Sequence, residues 1–352
     1  MADDQICTVV DDNGYYSHKL AWHDESGNIR THKYDAIIGS AQEAQTGLHG
    51  GLVDMYETED GQRFTCNAFV TPVAIRNQNY GESVENRILV NHGLVKAGMA
   101  GKKVRLATAL PMRDFYSHDG HQNQRLIDGQ AANMRKPVYQ AFDSSRNEEP
   151  VAEIVESRVL SEGVSAIIDY LIDDDGQELF DLQDINAPMA VLDFGGSTFD
   201  VVSMAPNLAI MQNSSGTIQR GTLDIKEKFA TLLPDYLAKK GHKVHKPANW
   251  MIAQAFERGY IRMHSSDGVS DVDVSDLLVK AAEPVVNEIK QFAKSTLNDM
   301  TSYQFILLVG GGSLLCGALF KDWMEDYSLI LRDEFANARG MLKFITHLPG
   351  GQ

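Results

Sequence analysis

The chain has 352 residues, a length that predicts about two domains. Its 43% hydrophobic and 23% charged residues are typical of a folded globular protein and exclude wholesale disorder. There are 32 Lys and Arg against 48 Asp and Glu. The resulting net charge of −16 argues against nucleic-acid binding through bulk positive charge, because phosphate binding needs cations that displace counterions.

Short apolar runs separated by turns dominate the first part of the sequence. They predict strands at residues 6–10, 19–23, 29–34 and 103–110, and a helix at residues 84–98. The first three strands are expected to form an antiparallel meander. Residues 113–136 are polar and predict an exposed loop that leads into a short helix.

The second part of the sequence continues the alternation of strands and helices. The patterns predict strands at residues 151–155, 190–193 and 304–309, and helices at residues 156–172, 222–238 and 276–297. Ser275 or Asp276 is expected to cap the last helix, and Pro284 is expected to kink or restart it. Strands that alternate with helices throughout predict the α/β class.

Nothing in the sequence predicts a membrane segment or a secreted protein. The most apolar long run, residues 305–320, is interrupted by four glycines and is shorter than the roughly 20 residues that span a bilayer. The acidic start, Met-Ala-Asp-Asp-Gln, lacks the pattern of a secretory signal. Three cysteines without paired spacing favour a reducing compartment, so we expect a cytoplasmic protein.

Three glycine-rich turns, each at the end of an apolar strand, indicate a ligand site. Their candidate residues are Asp12, Asn13, Gly14 and Lys19 in the first turn, Asp193, Gly195, Gly196, Ser197 and Thr198 in the second, and Gly310, Gly311, Gly312 and Ser313 in the third. An aspartate at the end of a buried strand costs desolvation free energy unless it is paired or near a cation. The glycines allow a ligand to approach the backbone, whose N–H groups can bind an anion.

Each turn taken alone is more often an ordinary tight turn, and a strand-end aspartate is more often a turn former than a ligand. Together they are more informative. The two acidic strand ends lie about 180 residues apart, and a third glycine turn follows a third apolar strand. This layout indicates a nucleotide held in a cleft between two similar halves.

The three turns resemble the two phosphate motifs and the adenosine motif of the actin-like ATPase superfamily. Within it, the chain is most similar to the ParM (StbA) proteins, which form filaments and segregate bacterial plasmids. Four further segments carry this likeness: Ala109-Leu110-Pro111-Met112, Ala132-Asn133-Met134-Arg135-Lys136, Val155-Glu156-Ser157 and Gly340-Met341. The likeness runs nearly end to end and is weakest over residues 40–80.

The resemblance implies an actin-like fold with two ribonuclease-H-like halves around a nucleotide cleft. Domain I would comprise residues 1–188, domain II residues 189–328, and residues 329–352 would return to domain I. ATP or ADP with Mg²⁺ would occupy the cleft. Asp12 and Asp193 would hold Mg²⁺ through its waters, and Glu156 would position the attacking water, as in the family's Pro-Glu-Ser motif.

The remaining implied roles concern the nucleotide itself. The phosphates would contact Asn13, Gly14, Lys19, Gly195, Gly196, Ser197 and Thr198; adenosine would contact Gly310, Gly311, Gly312 and Ser313; and the ribose would contact Asp224, Lys226 and Glu227. The basic residues that ParM relatives carry before their Ala-Asn-Phe motif are replaced here by Gly129-Gln130-Ala131. Arg125 and Arg135 are the candidates to replace this missing positive charge.

The function implied is an ATPase, or one that also uses GTP, whose filaments form on Mg-ATP binding and segregate plasmid DNA. DNA would be reached through a ParR-like adaptor at the filament end, without direct contact with nucleic acid or membrane. A non-polymerising small-molecule kinase and a cell-shape actin of the MreB type remain alternatives. A chaperone is less favoured, because no substrate domain follows the ATPase core.

Overall fold

The computed structural model describes residues 6–77, 79–117, 119–142, 145–265 and 268–348. The strands are β1 (Cys7–Asn13), β2 (Ser17–His23), β3 (Ile29–Asp35), β4 (Gly39–Ser40), β5 (Gln45–Thr46), β6 (Leu52–Val53), β7 (Met55–Thr58), β8 (Arg63–Thr65), β9 (Lys103–Leu110), β10 (Val138–Gln140), β11 (Glu153–Ser161), β12 (Met189–Phe194), β13 (Phe199–Met204), β14 (Gly216–Ile218), β15 (Tyr260–Ser265), β16 (Gly268–Asp273), β17 (Phe305–Val309) and β18 (Leu329–Leu331).

The helices are α1 (Val84–Lys96), α2 (Met112–Phe115), α3 (Gln124–Met134), α4 (Val164–Leu171), α5 (Thr222–Lys239), α6 (Asn249–Arg258), α7 (Ser275–Leu297), α8 (Gly311–Leu315), α9 (Gly317–Asp326) and α10 (Ala336–His347). Within the described ranges, no helix combines the length and the apolar character needed to cross a membrane.

Two five-stranded sheets of the same design form the two halves of the molecule. The first has the order β3-β2-β1-β9-β11 and the second the order β14-β13-β12-β17-β18. In each sheet, three consecutive strands pair antiparallel. A fourth strand pairs parallel with the first of these three, and a fifth strand pairs parallel with the fourth. The predicted α/β class and the two similar halves are therefore confirmed.

The strands β12 and β17 are nearly continuous apolar runs because helices cover both faces of their sheet. Every residue of β12 is buried, and so are the last four residues of β17. Each half also carries a smaller insertion that the sequence patterns did not predict. The first half has the four-stranded sheet β10-β7-β8-β4 and the β5–β6 pair, and the second has the β15–β16 hairpin beside α6.

The C-terminal helix α10 packs on α4 and on strands β1 and β2 of the first half. Gly340 allows this close approach, because a Cβ atom there would overlap the backbone carbonyl of Ser165. The fully buried carboxylate of Asp169 joins the two helices through Arg339, at 2.7 Å, and Lys343, at 2.9 Å. These contacts bring the end of the described chain back to the first half.

The secondary structure differs from the predictions near Glu156 and Pro284. Residues 156–161 belong to strand β11, not to a helix, because their side chains alternate between the sheet's two faces. Gly163, with φ of 74°, then separates the strand from α4. The helix α7 does not restart at Pro284, which lies on its exposed face, where water can bind the carbonyl that loses its partner.

The predicted cap of α7 is also different. Ser275 is its first residue and Val274 is the cap residue, which makes no side-chain hydrogen bond to the helix. Instead, the carboxylate of Asp273 accepts a hydrogen bond of 2.8 Å from the Ser275 N–H. Asp273, two residues before the helix starts, therefore accepts a hydrogen bond from the first backbone N–H group of the helix.

Candidate functional site

The ends of β1 and β12 face each other across a cleft between the two halves. In each half, the aspartate at the strand end pairs across the hairpin with a residue seven positions later: Asp12 with Lys19, and Asp193 with Asp200. An inner cavity of about 60 Å³ is lined by Asp12, Lys19 and Asp193, and also by Glu162. The structure thus brings the first two predicted motifs together.

The second turn holds its backbone carbonyl groups away from this cavity. The Gly195 carbonyl accepts a hydrogen bond of 3.1 Å from the Thr222 N–H, and the Gly196 carbonyl accepts one of 2.9 Å from the Leu223 N–H. The Ser197 carbonyl accepts a hydrogen bond of 3.0 Å from Arg76 Nη2. In a trans peptide the carbonyl and the following N–H point in opposite directions. Consequently, the three N–H groups of residues 196–198 point away from these anchors.

No acceptor for these three N–H groups is seen among the residues that the structure describes. Residues 195–198 line the inner cavity, so the loop offers adjacent backbone donors to an anion. Gly196 is required here because a Cβ atom would overlap the Cβ of Tyr16, and Gly221 because a Cβ would overlap the Gly196 carbonyl. The first turn, the second turn and the start of α5 are therefore in direct contact.

The carboxylates around the inner cavity repel one another. Burial, followed by the charges of Asp12 and Asp200, raises the pKa of Asp193 to about 7, against the hydrogen bond from Asn337 and the charge of Lys19. Burial and the charges of Asp12 and Asp193 also raise the pKa of Glu162 well above its usual value. A nearby positive charge relieves this repulsion.

Lys19 supplies part of that positive charge. Its ammonium group lies 3.3 Å from the Asp12 carboxylate. Burial alone would lower the pKa of Lys19, but the charges of Asp12, Asp193 and Glu162 outweigh it, so the pKa is raised. The lysine is therefore charged at neutral pH. Carboxylate oxygens are also the ligands that Mg²⁺ prefers, so Asp12 and Asp193 fit a divalent cation.

An outer cavity of about 490 Å³ shares Gly14, Lys19, Gly195 and Gly196 with the inner one. Its further walls include apolar and flat groups: Tyr16, Phe256, Gly311, Gly312 and Leu315. An ion pair of 2.7 Å joins Lys33 to Glu334, and both residues also line this cavity. A narrow polar pocket that opens into a wider, partly apolar one suits a polyphosphate attached to a base.

The third turn contributes only in part to these walls. Gly311 and Gly312 line the outer cavity. Gly310, with φ of 87°, lies beneath it, where a Cβ atom would meet the Asp193 carboxylate. The buried hydroxyl of Ser313 donates to the Val309 carbonyl, so this side chain is directed back to its own strand.

The predicted ribose contacts lie outside the cavity lining. Asp224 accepts a hydrogen bond of 2.7 Å from the Gly221 N–H and thereby caps α5. The ammonium group of Lys226 lies 5.3 Å from the centre of the Tyr16 ring, just behind the cavity wall. Glu227 is exposed on the outer face of α5. Asn13 lines the inner cavity, where its side chain accepts a 2.7 Å hydrogen bond from the Ala109 N–H.

Glu156 is not among the residues that line the cleft. Its carboxylate, about one-third exposed on β11, pairs with Arg105 at 2.8 Å and with Arg158. Glu162, which sequence analysis missed, occupies the inner cavity instead. A signal was available: Glu162 directly follows β11, and strands parallel to β1 end at the same edge of the sheet as Asp12.

Neither arginine left open as a substitute for the family's basic residues lines the inner cavity. Arg125 is exposed and pairs with Glu82 at 3.3 Å, and Arg135 lines a separate groove beside α3. Gln130 does line the inner cavity and donates to the Thr108 hydroxyl at 2.7 Å and to the Ala109 carbonyl at 3.0 Å. A neutral amide therefore lines the cavity, where the resemblance implied a positive charge.

The repeated sheet, the cleft between its copies and the paired strand ends together define an actin-like fold. Similar solved structures include a ParM filament from Clostridium botulinum (TM-score 0.67, 19% identity, covering 97% of this chain and 99% of that chain). An archaeal actin homologue in complex with ADP has a TM-score of 0.68 and 19% identity, with 96% and 97% covered. Bacillus thuringiensis ParM with ATP has a TM-score of 0.62 and 16% identity, with 97% and 98% covered.

The sequence of the first half also matches a known family. Residues 7–172 match the family model described as plasmid segregation protein ParM, N-terminal. The resemblance to the ParM (StbA) proteins that the motifs indicated is therefore confirmed over residues 7–172. No curated protein sequence matches this chain.

Proposed function

We propose that this protein is an ATPase that polymerises on binding Mg-ATP and drives plasmid segregation through an adaptor protein. The observation that carries the proposal is the loop of residues 195–198, whose three backbone donors line a cavity beside Asp12 and Asp193. An ADP complex, an ATP complex and a filament among the similar structures support it. GTP is an alternative nucleotide for the same cleft.

The proposed binding mode assigns each side of the nucleotide to described residues. The backbone donors of residues 196–198 and the ammonium of Lys19 hold the phosphates, and Gly311 and Gly312 allow the base and sugar to lie against α8. Asp12 and Asp193 would hold Mg²⁺ in the inner cavity. When bound, the cation offsets the negative charge that develops on the phosphate oxygens during transfer.

Glu162 is our proposed water-positioning residue, in place of Glu156. Its carboxylate lines the inner cavity together with Asp12, Lys19 and Asp193, whereas Glu156 lies outside that cavity. The water oxygen forms a bond to the terminal phosphorus while the bond to the ADP oxygen breaks, and the water's proton passes to the Glu162 carboxylate. Phosphoryl transfer requires little more than this positioning and charge compensation.

The further parts of the proposal concern assembly and location. We assign residues 1–188 to domain I, residues 189–328 to domain II and residues 329–352 to a segment that returns to domain I. Nucleotide binding closes the cleft and favours the filament, and hydrolysis destabilises it. The net charge of −16 suits an indirect connection to DNA through a basic, ParR-like adaptor in the bacterial cytoplasm.

Right-angle light scattering with sedimentation, with and without Mg-ATP, tests the proposal. We expect nucleotide-dependent scattering that is lost in Asp193→Ala and retained in Asp322→Ala, an exposed carboxylate on α9. Phosphate release without scattering over a wide protein concentration range would contradict the filament and favour a soluble kinase. Failure to bind any nucleotide would contradict the whole proposal.

A further inference from the structure

Arg76 belongs to the first half of the chain but makes its polar contacts with the second. It lies between β8 and α1, and its guanidinium donates to the Ser197 carbonyl at 3.0 Å, across 121 residues of sequence. The same guanidinium lies 3.6 Å from the Asp224 carboxylate. Arg76 therefore spans the cleft and contacts the loop of residues 195–198, the proposed phosphate-binding loop, from the opposite side.

This contact differs from the other two anchors of the loop. The carbonyls of Gly195 and Gly196 are held by backbone N–H groups at the start of α5, which is in the same half as the loop. The Ser197 carbonyl is held from the other half. The direction of the Ser197–Thr198 peptide, and with it the Thr198 N–H, thus depends on the separation of the two halves.

The surroundings of Arg76 support a positioning role. The Asp224 carboxylate that faces the guanidinium also caps α5 through the Gly221 N–H. On its other side, Arg76 is followed by Asn77, whose carbonyl accepts a hydrogen bond of 3.1 Å from the Tyr15 hydroxyl in the first turn. The segment is thus connected to both phosphate turns.

We propose that Arg76 is a positioning residue that completes the phosphate-binding loop when the cleft closes. In the closed cleft it orients the Thr198 N–H toward the phosphates, and in an open cleft that donor is released. This inference rests on the proposed nucleotide function and deepens it. It identifies the group that makes phosphate binding sensitive to the relative position of the halves.

Binding of ATP, ADP, AMP and adenosine to the wild-type protein and to Arg76→Ala tests the inference, with competition against fluorescent ADP as the readout. A hydrogen bond to a charged group contributes enough that we expect about a tenfold loss of ATP and ADP affinity. Adenosine affinity should stay within about twofold, because it lacks phosphates. Arg76→Lys should recover part of the loss, since an ammonium can still donate to the Ser197 carbonyl.

The control is Arg30→Ala, which removes an exposed arginine that pairs with Asp24 in the same half, and it should bind all four ligands normally. An equal loss of affinity for all four ligands in Arg76→Ala would overturn the inference in favour of a merely structural role. Unchanged ATP affinity in Arg76→Ala would also overturn it. Wild-type protein that fails to bind ATP would instead contradict the proposed function itself.

Discussion

Asn337 donates a hydrogen bond of 2.6 Å to the carboxylate of Asp193, although the two residues are 144 positions apart. The amide oxygen of the same side chain accepts a hydrogen bond of 2.9 Å from the Gly163 N–H, at the start of α4. One side chain at the start of α10 thus connects a proposed magnesium ligand to the crossing of two helices. Changes in the contact between α4 and α10 should therefore affect the nucleotide site.

We expect Asp169→Asn to lower the free energy of unfolding by about 3 kcal/mol, because removing one partner of a buried ion pair leaves the others uncompensated. Arg339 and Lys343 would then lie between α4 and α10 without the carboxylate. Asp333→Asn is the matched control, since Asp333 also pairs with Arg339 but is half exposed. It should cost less than about 1 kcal/mol. Chemical denaturation measures both, and equal costs would contradict the role of burial.

Glu162→Gln should reduce phosphate release about a hundredfold, because an amide cannot accept the proton of the attacking water. The side chain keeps its size, so nucleotide binding and ATP-dependent assembly should persist. Glu156→Gln should leave turnover near the wild-type value, because that carboxylate pairs with arginines outside the cleft. Steady-state phosphate release measures both variants. Slow phosphate release in Glu156→Gln together with unchanged release in Glu162→Gln would favour Glu156 as the water-positioning residue.

Gly221→Ala should weaken ATP binding at least tenfold and destabilise the fold by about 1–3 kcal/mol. The added Cβ would overlap the Gly196 carbonyl, which is backbone and cannot rotate away. Gly317→Ala is the control, because its Cβ meets open space at the start of α9, and better helix propensity should make it neutral or slightly stabilising. Thermal unfolding with and without Mg-ATP distinguishes the two. A normal ATP-induced shift in Gly221→Ala would refute the predicted overlap.

The buried His92 should make stability depend on pH. Burial lowers its pKa to about 4, whereas an unfolded histidine has a pKa of about 6.5. Between these values the unfolded state binds more protons, so stability decreases as pH falls from about 6.5 to 4, by at most about 3 kcal/mol. The free energy of unfolding, measured with urea, should depend less steeply on pH in His92→Gln than in His49→Gln, which changes an exposed histidine. Identical slopes would exclude His92 as the source.

The sequence predicted the parts of the site that depend on local pattern. Asp12, Asp193 and Gly196 were identified because an aspartate and glycines directly follow an apolar strand. Glu162 was missed because residues 153–172 fit both a strand and a helix, and only the sheet pairing of β11 decides between them. The short strands between residues 39 and 65 have two to four residues each and carry no usable periodicity.

Contacts across the cleft could not be predicted, for a different reason. Arg76 reaches Ser197 over 121 residues, and no local spacing connects them. The same holds for Asn337 and Asp193. Such contacts arise from the packing of complete halves, so they become visible only when both sheets and their connections are assembled.

The equivalent hairpins β1–β2 and β12–β13 differ at one informative position. Lys19 pairs with Asp12 in one copy, whereas Asp200 pairs with Asp193 in the other. The hydroxyls of Thr198 and Thr217 donate hydrogen bonds to the Asp200 carboxylate. The internal duplication is therefore electrically asymmetric. In the proposed complex, the Lys19 ammonium would contact the polyphosphate from one copy, whereas Asp200 lies outside the cavity lining of the other, so the nucleotide would have a single orientation. Each molecule consequently has a built-in polarity, which identical copies joined head to tail would pass on to their assembly.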